Sequence, residues 1–379
     1  MTMTEQVTTF SDETERKRWN AFVADSPGGH LLQSCEWGDF KAAQGWLVRR
    51  IGIERDGQIV AGAQLLFKPL PWFPLTIVYI PKGPIVDLSD EATSNTLFSA
   101  IHRVARDRRA IFLKIEPNLL DDDHTHTLLR KYGFQPTVDT NQPRSTIVID
   151  LTEGEKALLA NTRKNTRKHI RYAARAGVEI VEGGASDLDS LHQMMATAAQ
   201  RKGHTIHGIG FFQQEWQTFQ AAGCVKLLLA KYRGQVVAVK MIIVFGDRSM
   251  HLWGGVSHQG REVCASYLIQ WEAIRWAMAQ GYRYCDLWGI PDQVGEMLKV
   301  GQKIPKDRHD GLWGAYVFKR GFGGRVEYYV GAYDYPYWPA LYWLGMKILV
   351  RNRSVAQMSR WLEEIFGGQG ASEMPKENG

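Results

Sequence analysis

The sequence predicts an α/β protein of the α+β kind, built from two similar domains with a groove between them. Three observations lead there. A chain of 379 residues, 44% of them hydrophobic, exceeds one typical domain and can fill more than one core. The chain also repeats itself: GQIVAGAQLL at 57–66 returns as GQVVAVKMII at 234–243, each reading as a tight turn that enters an apolar strand. Finally, the elements after each copy follow the same order.

In the first half the strand at 57–66 is followed by a strand at 76–81, a helix at about 91–108 and a strand at 110–115. In the second half the matching pieces are 234–243, 249–254, 262–280 and 284–288. The order β-β-α-β therefore occurs twice, which is the mark of a duplicated unit. Two such units side by side leave a concave surface, the usual place for a ligand. The unit resembles the GNAT acyltransferase fold. Members of that fold that use coenzyme A carry R/Q-x-x-G-x-G/A at the start of the helix, where bare backbone N–H groups hold the pyrophosphate. Here the corresponding segment is HQGREVCASY, which does not fit, so no coenzyme A is expected. The junction lies near 150–160, and 161–175 reads as one helix.

Composition narrows the function class. The longest apolar runs, 77–80 and 241–245, fall far short of the roughly 20 residues that span a bilayer. The N-terminal MTMTEQVTTFSDETERKRWN has no secretory-signal pattern, so a cytoplasmic monomer is expected. Cys35, Cys224, Cys264 and Cys285 show no CxxC spacing and imply neither a disulfide framework nor a zinc site. HTH at 124–126 and HTIH at 204–207 lack supporting ligands, so no metal is expected. GVSHQ at 255–259 lacks the last glycine of a nucleophile elbow, and GFGG at 321–324 follows no strand-helix phosphate pattern.

The net charge of +6 is concentrated in one place. Between Glu155 and Glu179 there is no acid, whereas Lys156, Arg163, Lys164, Arg167, Lys168, Arg171 and Arg175 are all basic. Four of these arginines recur every fourth residue with two lysines beside them, which on a helix makes one cationic ridge. Like charges at that spacing repel unless an anion lies against them, and a nucleic-acid backbone supplies such an anion. Carboxylates from elsewhere in the fold are the other way to neutralise it.

The end of this ridge, AARAGVEI, resembles the R-x-x-R-x-A-x-x-x-G-V segment of the Fem family of peptidoglycan-bridge aminoacyltransferases. Further likenesses follow in order: LLQSCEWGDFK at 31–41, YIPKGPIVD at 79–87, LKIEP at 113–117, YRYCDLWGIPD at 282–292 and DGLWGAYVFKRGFGG at 310–324. The resemblance implies two tandem GNAT-like domains, 1–150 and 151–329, the first completed by a returning segment at 330–366, with 367–379 a disordered tail. It implies a compact form without the helical arm that some members insert. It also implies transfer of an amino acid from aminoacyl-tRNA to the stem peptide of a peptidoglycan precursor, either lipid II or its soluble UDP-linked form, with no other cofactor. An ester of this kind is already energy-rich, so the protein must supply alignment, charge stabilisation and a route for one proton.

By the same resemblance Lys319 is the leading catalytic residue and Glu116 a second, the latter a Glu where Asp is commoner. Lys41 and Arg201 are expected at the precursor's diphosphate, and Trp253 and Tyr267 in the precursor groove. Arg163, Lys164, Arg167, Lys168, Arg171 and Arg175 are expected on the tRNA. The stretch YDYPYWPALYWLGMKILVRNR at 333–353 suggests either a helix packed on the first domain or one resting at the inner face of the membrane. Two other readings compete: an acyl-CoA N-acyltransferase on the same fold, and a noncatalytic RNA-binding protein.

Overall fold

The computed structural model describes residues 6–10, 12–202, 206–305, 308 and 310–351. They fall into two compact units, one running to Arg144 and resuming at Tyr328, the other spanning Ser145–Glu327. The boundary falls before the strand at 145–150 and not after it, because that strand pairs within the second unit.

The first unit runs β1 (Gln6–Thr9), α1 (Glu13–Asp25), α2 (Cys35–Ala43), β2 (Leu47–Arg55), β3 (Gln58–Pro69), β4 (Thr76–Pro81), α3 (Glu91–Asp107), β5 (Ala110–Glu116), α4 (Asp123–Lys131) and β6 (Gln135–Thr137). The second runs β7 (Ser145–Asp150), α5 (Glu155–Asn161), α6 (Lys164–Arg175), β8 (Glu179–Glu182), α7 (Leu188–Lys202), α8 (Ile209–Ala221), β9 (Val225–Tyr232), β10 (Gln235–Phe245), β11 (Arg248–Val256), α9 (His258–Glu262), α10 (Ala265–Ala279), β12 (Tyr284–Ile290), α11 (Asp292–Lys299), α12 (Trp313–Lys319) and β13 (Arg325–Tyr328). β14 (Ala332–Pro336) and α13 (Pro339–Arg351) then belong to the first unit. The tail at 367–379 lies outside the described residues.

Each unit holds one sheet, ordered β1-β2-β3-β4-β5-β14-β6 and β13-β7-β12-β11-β10-β9-β8. The predicted β-β-α-β units are β3-β4-α3-β5 and β10-β11-α10-β12, and each ends in a parallel pair crossed by its helix. β4 is buried along its whole length and α3 buries Leu97, Ile101 and Ala105 in the first core. In the second sheet the residues of β10 alternate between two cores. Ala238, Ile242 and Val244 face α10 and α6, while Val239 and Met241 face α7 and α8.

Two helix boundaries differ from expectation. The helix expected at 161–175 is α6 and starts three residues later, at Lys164: Asn161 is the last residue of α5, Thr162 caps it, and Arg163 is extended at φ −59°, ψ 146°. The side chains of Thr162 and Arg167 satisfy the carbonyls left at the end of α5, which stabilises the break. The helix expected at 262–280 is α10, 265–279, set off from the short α9 before it by Cys264 in the left-handed conformation at φ 58°. Among the described residues no helix is long and apolar enough to cross a membrane.

Candidate functional site

The second unit departs from the first at its parallel strand pair. β4 and β5 stay paired from Thr76–Ala110 to Pro81–Glu116. β11 and β12 pair only from Arg248–Tyr284 to Met250–Asp286, although the strands continue to Val256 and Ile290. Beyond Asp286 the carbonyls of β12 are therefore open on that side. Lys319, the last residue of α12, occupies the opening: its Nζ donates to the carbonyl oxygens of Trp288 at 3.1 Å and Gly289 at 2.7 Å.

Around this amine the sheet face that packs on α10 gathers basic groups, and Asp286 is the carboxylate that acts on Lys319. Lys240 on β10 has no hydrogen bond or ion pair among the described residues. His251 on β11 lies 2.7 Å from the Gln270 amide of α10 and 3.4 Å from the Cys285 thiol. Asp286 is engaged by the Thr146 hydroxyl, the Trp288 N–H at 2.8 Å and Arg248 at 3.8 Å. Burial pushes the Lys319 ammonium down to about 7, the charge of Lys240 adds to this, and Asp286 only partly opposes it. Burial likewise brings Lys240 down to about 8, holds His251 well below its ordinary value and pushes the Cys285 thiol up to about 12. Lys319 is thus an amine that changes protonation near neutral pH. Two of its N–H donors are fixed on carbonyls, and among the described residues it has no third hydrogen-bond partner.

Tyr267 and the basic helix join this site. The Tyr267 ring packs on Phe318, beside Lys319, at 5.1 Å and on His169 of α6 at 4.5 Å. The Arg163 N–H donates to the carbonyl of Gly321, and Gly321 lies so close to Thr166 that a Cβ there would come within 2.4 Å of its hydroxyl. The start of α6 is thereby held against the turn that follows α12. α6 buries Thr166, Ile170 and Ala173 and leaves Lys164, Lys168, Arg171 and Arg175 exposed, with Arg163 exposed just before it. Among the described residues no carboxylate pairs with any of these five. Arg167 differs from them: its Nη1 donates to the carbonyls of Leu159 at 3.1 Å, Ala160 at 2.8 Å and Thr162, so it clamps the end of α5.

Trp253 faces the other side of the sheet, edge-on to Phe212 at 5.2 Å and Phe211 at 6.0 Å, and is not brought to Lys319. Arg201 lies in α7, but its side chain is outside the described residues. In the first unit Lys41 sits 5.1 Å above the Trp37 ring and 5.2 Å above Phe40, and bonds Gln44 at 3.1 Å. Glu116 ends β5 with both oxygens occupied, by the N–H of Asn141 at 2.6 Å, the N–H of Gln142 at 3.2 Å and the Tyr79 hydroxyl. Burial raises its carboxyl above the ordinary range, while the Tyr79 hydroxyl, Lys114 and the two amides work against the rise. This carboxylate anchors the loop before β7, and Lys82, Gln142, Arg144 and Tyr329 line a small cavity beside it.

Comparison with known proteins decides the family. The sequence matches the FemAB family over residues 14–233 and 223–348. This chain belongs to that family. It is 24% identical over 423 aligned residues to the lipid II:glycine glycyltransferase of Staphylococcus aureus strain MRSA252, covering 91% of this chain and 97% of the relative. The same enzyme from the bovine strain RF122 / ET3-1 matches equally, again at 24% identity. Among solved structures, FemX superposes with a TM-score of 0.78 at 21% identity, covering 89% of this chain and 99% of that one. A tandem GNAT protein from the clavulanic acid pathway gives 0.52 at 12% identity over 87% of this chain and 98% of its own. The fold is therefore the tandem GNAT arrangement, and this FemAB protein is an acyltransferase. Lys240, His251, Gln270 and Cys285 were not expected at the site from the sequence. The available signal was a lysine inside the apolar run VVAVKMIIV and a histidine inside MHLW, where a buried polar side chain needs a reason.

Proposed function

We propose that this FemAB protein transfers an amino acid from aminoacyl-tRNA to the stem-peptide amine of a peptidoglycan precursor, using no further cofactor. The observation that carries the reading is the junction of Lys319 with the unneutralised ridge of α6, bridged by Phe318, Tyr267 and His169. Arg163, Lys164, Lys168, Arg171 and Arg175 supply a track for backbone phosphates that ends near an amine able to move a proton. The glycyltransferase relatives, named for lipid II, support the choice of acceptor class.

In the reaction the neutral acceptor amine attacks the ester carbonyl carbon. A C–N bond forms, the C–O bond to the ribose breaks, one proton leaves the nitrogen and one reaches the departing ribose oxygen. Lys319 in its neutral form has a lone pair where the third ammonium proton would sit. It takes the proton from the nitrogen, stabilises the developing oxyanion as an ammonium, and returns the proton to the ribose oxygen. Lys41 is assigned to the precursor's diphosphate and Tyr267 to the wall of the site beside Lys319, whereas Trp253, on the other face of the sheet, packs against Phe211 and Phe212. Glu116 acts by holding the 139–142 loop in place. Incubating the protein with charged tRNA and precursor tests this: an amide-linked amino acid on the precursor that depends on intact tRNA is expected, and its absence refutes the proposal.

A further inference from the structure

One end of the first unit exposes aromatic side chains that its core does not use. The loop joining β3 to β4 presents Trp72, 96% exposed, and Phe73, 63% exposed, while Trp338, Trp343 and Leu344 at the start of α13 are each about half exposed. These segments share a base. Leu70 and Leu75 from the loop and Leu341 and Tyr342 from α13 all pack on one small cluster of Ile77, Ile111 and Phe112. Tyr342 lies 5.3 Å from the Phe112 ring and donates to Asp334 at 2.8 Å, so Leu341 and Tyr342 hold the start of α13 to the unit while Trp343 and Leu344 stay about half exposed.

A third segment at the same end adds charge. The turn between α3 and β5 carries Arg106, Arg108 and Arg109 against one acid, Asp107, for a net charge of +2. Its carbonyls at 108 and 109 accept from Thr76, at 2.9 and 3.2 Å, immediately after the aromatic loop. The N–H groups of Tyr337 and Trp338 donate to Ile111, at 2.8 and 3.1 Å, and Arg106 lies over the Tyr337 ring at 5.6 Å. Exposed Trp and Phe side chains beside a cluster of arginines match the chemistry of a bilayer interface. Indole rings sit at headgroup level and guanidinium groups meet anionic headgroups.

We infer that this end of the first unit, Trp72, Phe73, Trp338, Trp343 and Leu344 with Arg106 and Arg109, is a docking surface for an anionic lipid bilayer. The surface holds the protein against the membrane peripherally, with the aromatic loop and the exposed residues at the start of α13 in the headgroup layer. Binding of this kind needs both apolar burial and charge, because neither alone anchors a protein stably. The inference rests on this surface alone and stands whether or not transfer from tRNA is found.

The test uses the full chain and vesicles of phosphatidylethanolamine with phosphatidylglycerol, against pure phosphatidylcholine, in a sedimentation assay. Binding to the anionic vesicles that weakens as salt rises is expected, with little on phosphatidylcholine. Arg106→Gln with Arg109→Gln should lower the partition coefficient roughly 25-fold, about fivefold per arginine removed from a charged surface. Trp72→Ser with Phe73→Ser should lower it roughly tenfold or more, because less apolar surface enters the bilayer. Quenching of tryptophan emission by brominated lipid should diminish in Trp72→Phe. All the positions changed are surface residues, and an unchanged melting temperature checks that each variant is folded. Absence of binding to anionic vesicles, or binding that neither pair of changes weakens, overturns the inference. A concentration-dependent dimer that Trp72→Ser with Phe73→Ser dissociates also overturns it, because the surface would then belong to a second copy of the chain.

Discussion

Replacing Arg167 by Gln separates two jobs that the regular spacing of the basic helix conceals. Arg167 is half-buried and its Nη1 is shared by three carbonyls at the end of α5, whereas Arg171 and Arg175 are exposed and reach no carboxylate among the described residues. A hydrogen bond from a charged donor contributes roughly 1.5–3 kcal/mol; one guanidinium nitrogen spread over three acceptors and partly wet is worth about 1–2 kcal/mol. For a unit of this size each kcal/mol shifts the melting temperature by roughly 2–4 °C. Arg167→Gln should therefore lower the melting temperature by several degrees, while Arg171→Gln with Arg175→Gln should change stability by no more than about 0.5 kcal/mol per site. The second pair should instead flatten the log-log dependence of tRNA affinity on salt by roughly 1–2 units, at about 0.7–0.9 for each phosphate no longer neutralised. Melting curves and filter binding across a salt series measure both. Unchanged melting of Arg167→Gln refutes the clamp, and an unchanged salt slope in the pair refutes the phosphate track.

Other expectations follow from the same geometry. Lys319→Met should reduce transfer by about 10² or more while the protein stays folded, at a stability cost of roughly 1–3 kcal/mol because the carbonyls of Trp288 and Gly289 lose their donor. Wild-type transfer should fall about tenfold per pH unit once the pH drops below the Lys319 value of about 7, because the protonated amine cannot accept a proton; a flat profile between pH 5 and 8 contradicts that role. Glu116→Gln should destabilise the first unit by roughly 1–3 kcal/mol in urea titrations, because an amide cannot accept at both positions now bonded to Asn141, Gln142 and Tyr79; lost transfer at unchanged stability would make Glu116 a reacting group instead. Burial, with Arg106 nearby, brings His102 down to about 4 from 6.5. The unfolded chain therefore binds the extra proton first as pH falls, and stability present above pH 6.5 is lost between there and about pH 4, by up to about 3 kcal/mol. His102→Gln should remove most of that acid dependence in melting curves.

How much the sequence disclosed depended on the range of the interaction. The repeated apolar strands at 57–66 and 234–243 are local patterns of period and turn chemistry, and they led directly to β3 and β10 and to the two matching units. The division between α5 and α6 was not legible. α5 falls in the stretch read as a junction, and its end is held by contacts from Arg167 back over several residues. The boundary before β7 depends on pairing with β12, more than a hundred residues away in the chain. The site shows the same limit. Lys319 was singled out through its motif, but the burial that brings it down to about 7, and the charge of Lys240 that adds to this, are encoded by no local pattern. Glu116 was named as a second catalytic residue from the LKIEP motif alone, which contains none of the groups that fill its two oxygens.

The most direct test of the account is mass spectrometry of peptidoglycan precursors after incubation with the protein and a mixture of charged tRNAs. The account predicts that one precursor gains the mass of an amino acid residue, that ribonuclease treatment of the tRNA abolishes the gain, and that Lys319→Met suppresses it. A precursor that stays unmodified, or one acylated from acyl-CoA with tRNA absent, would contradict it.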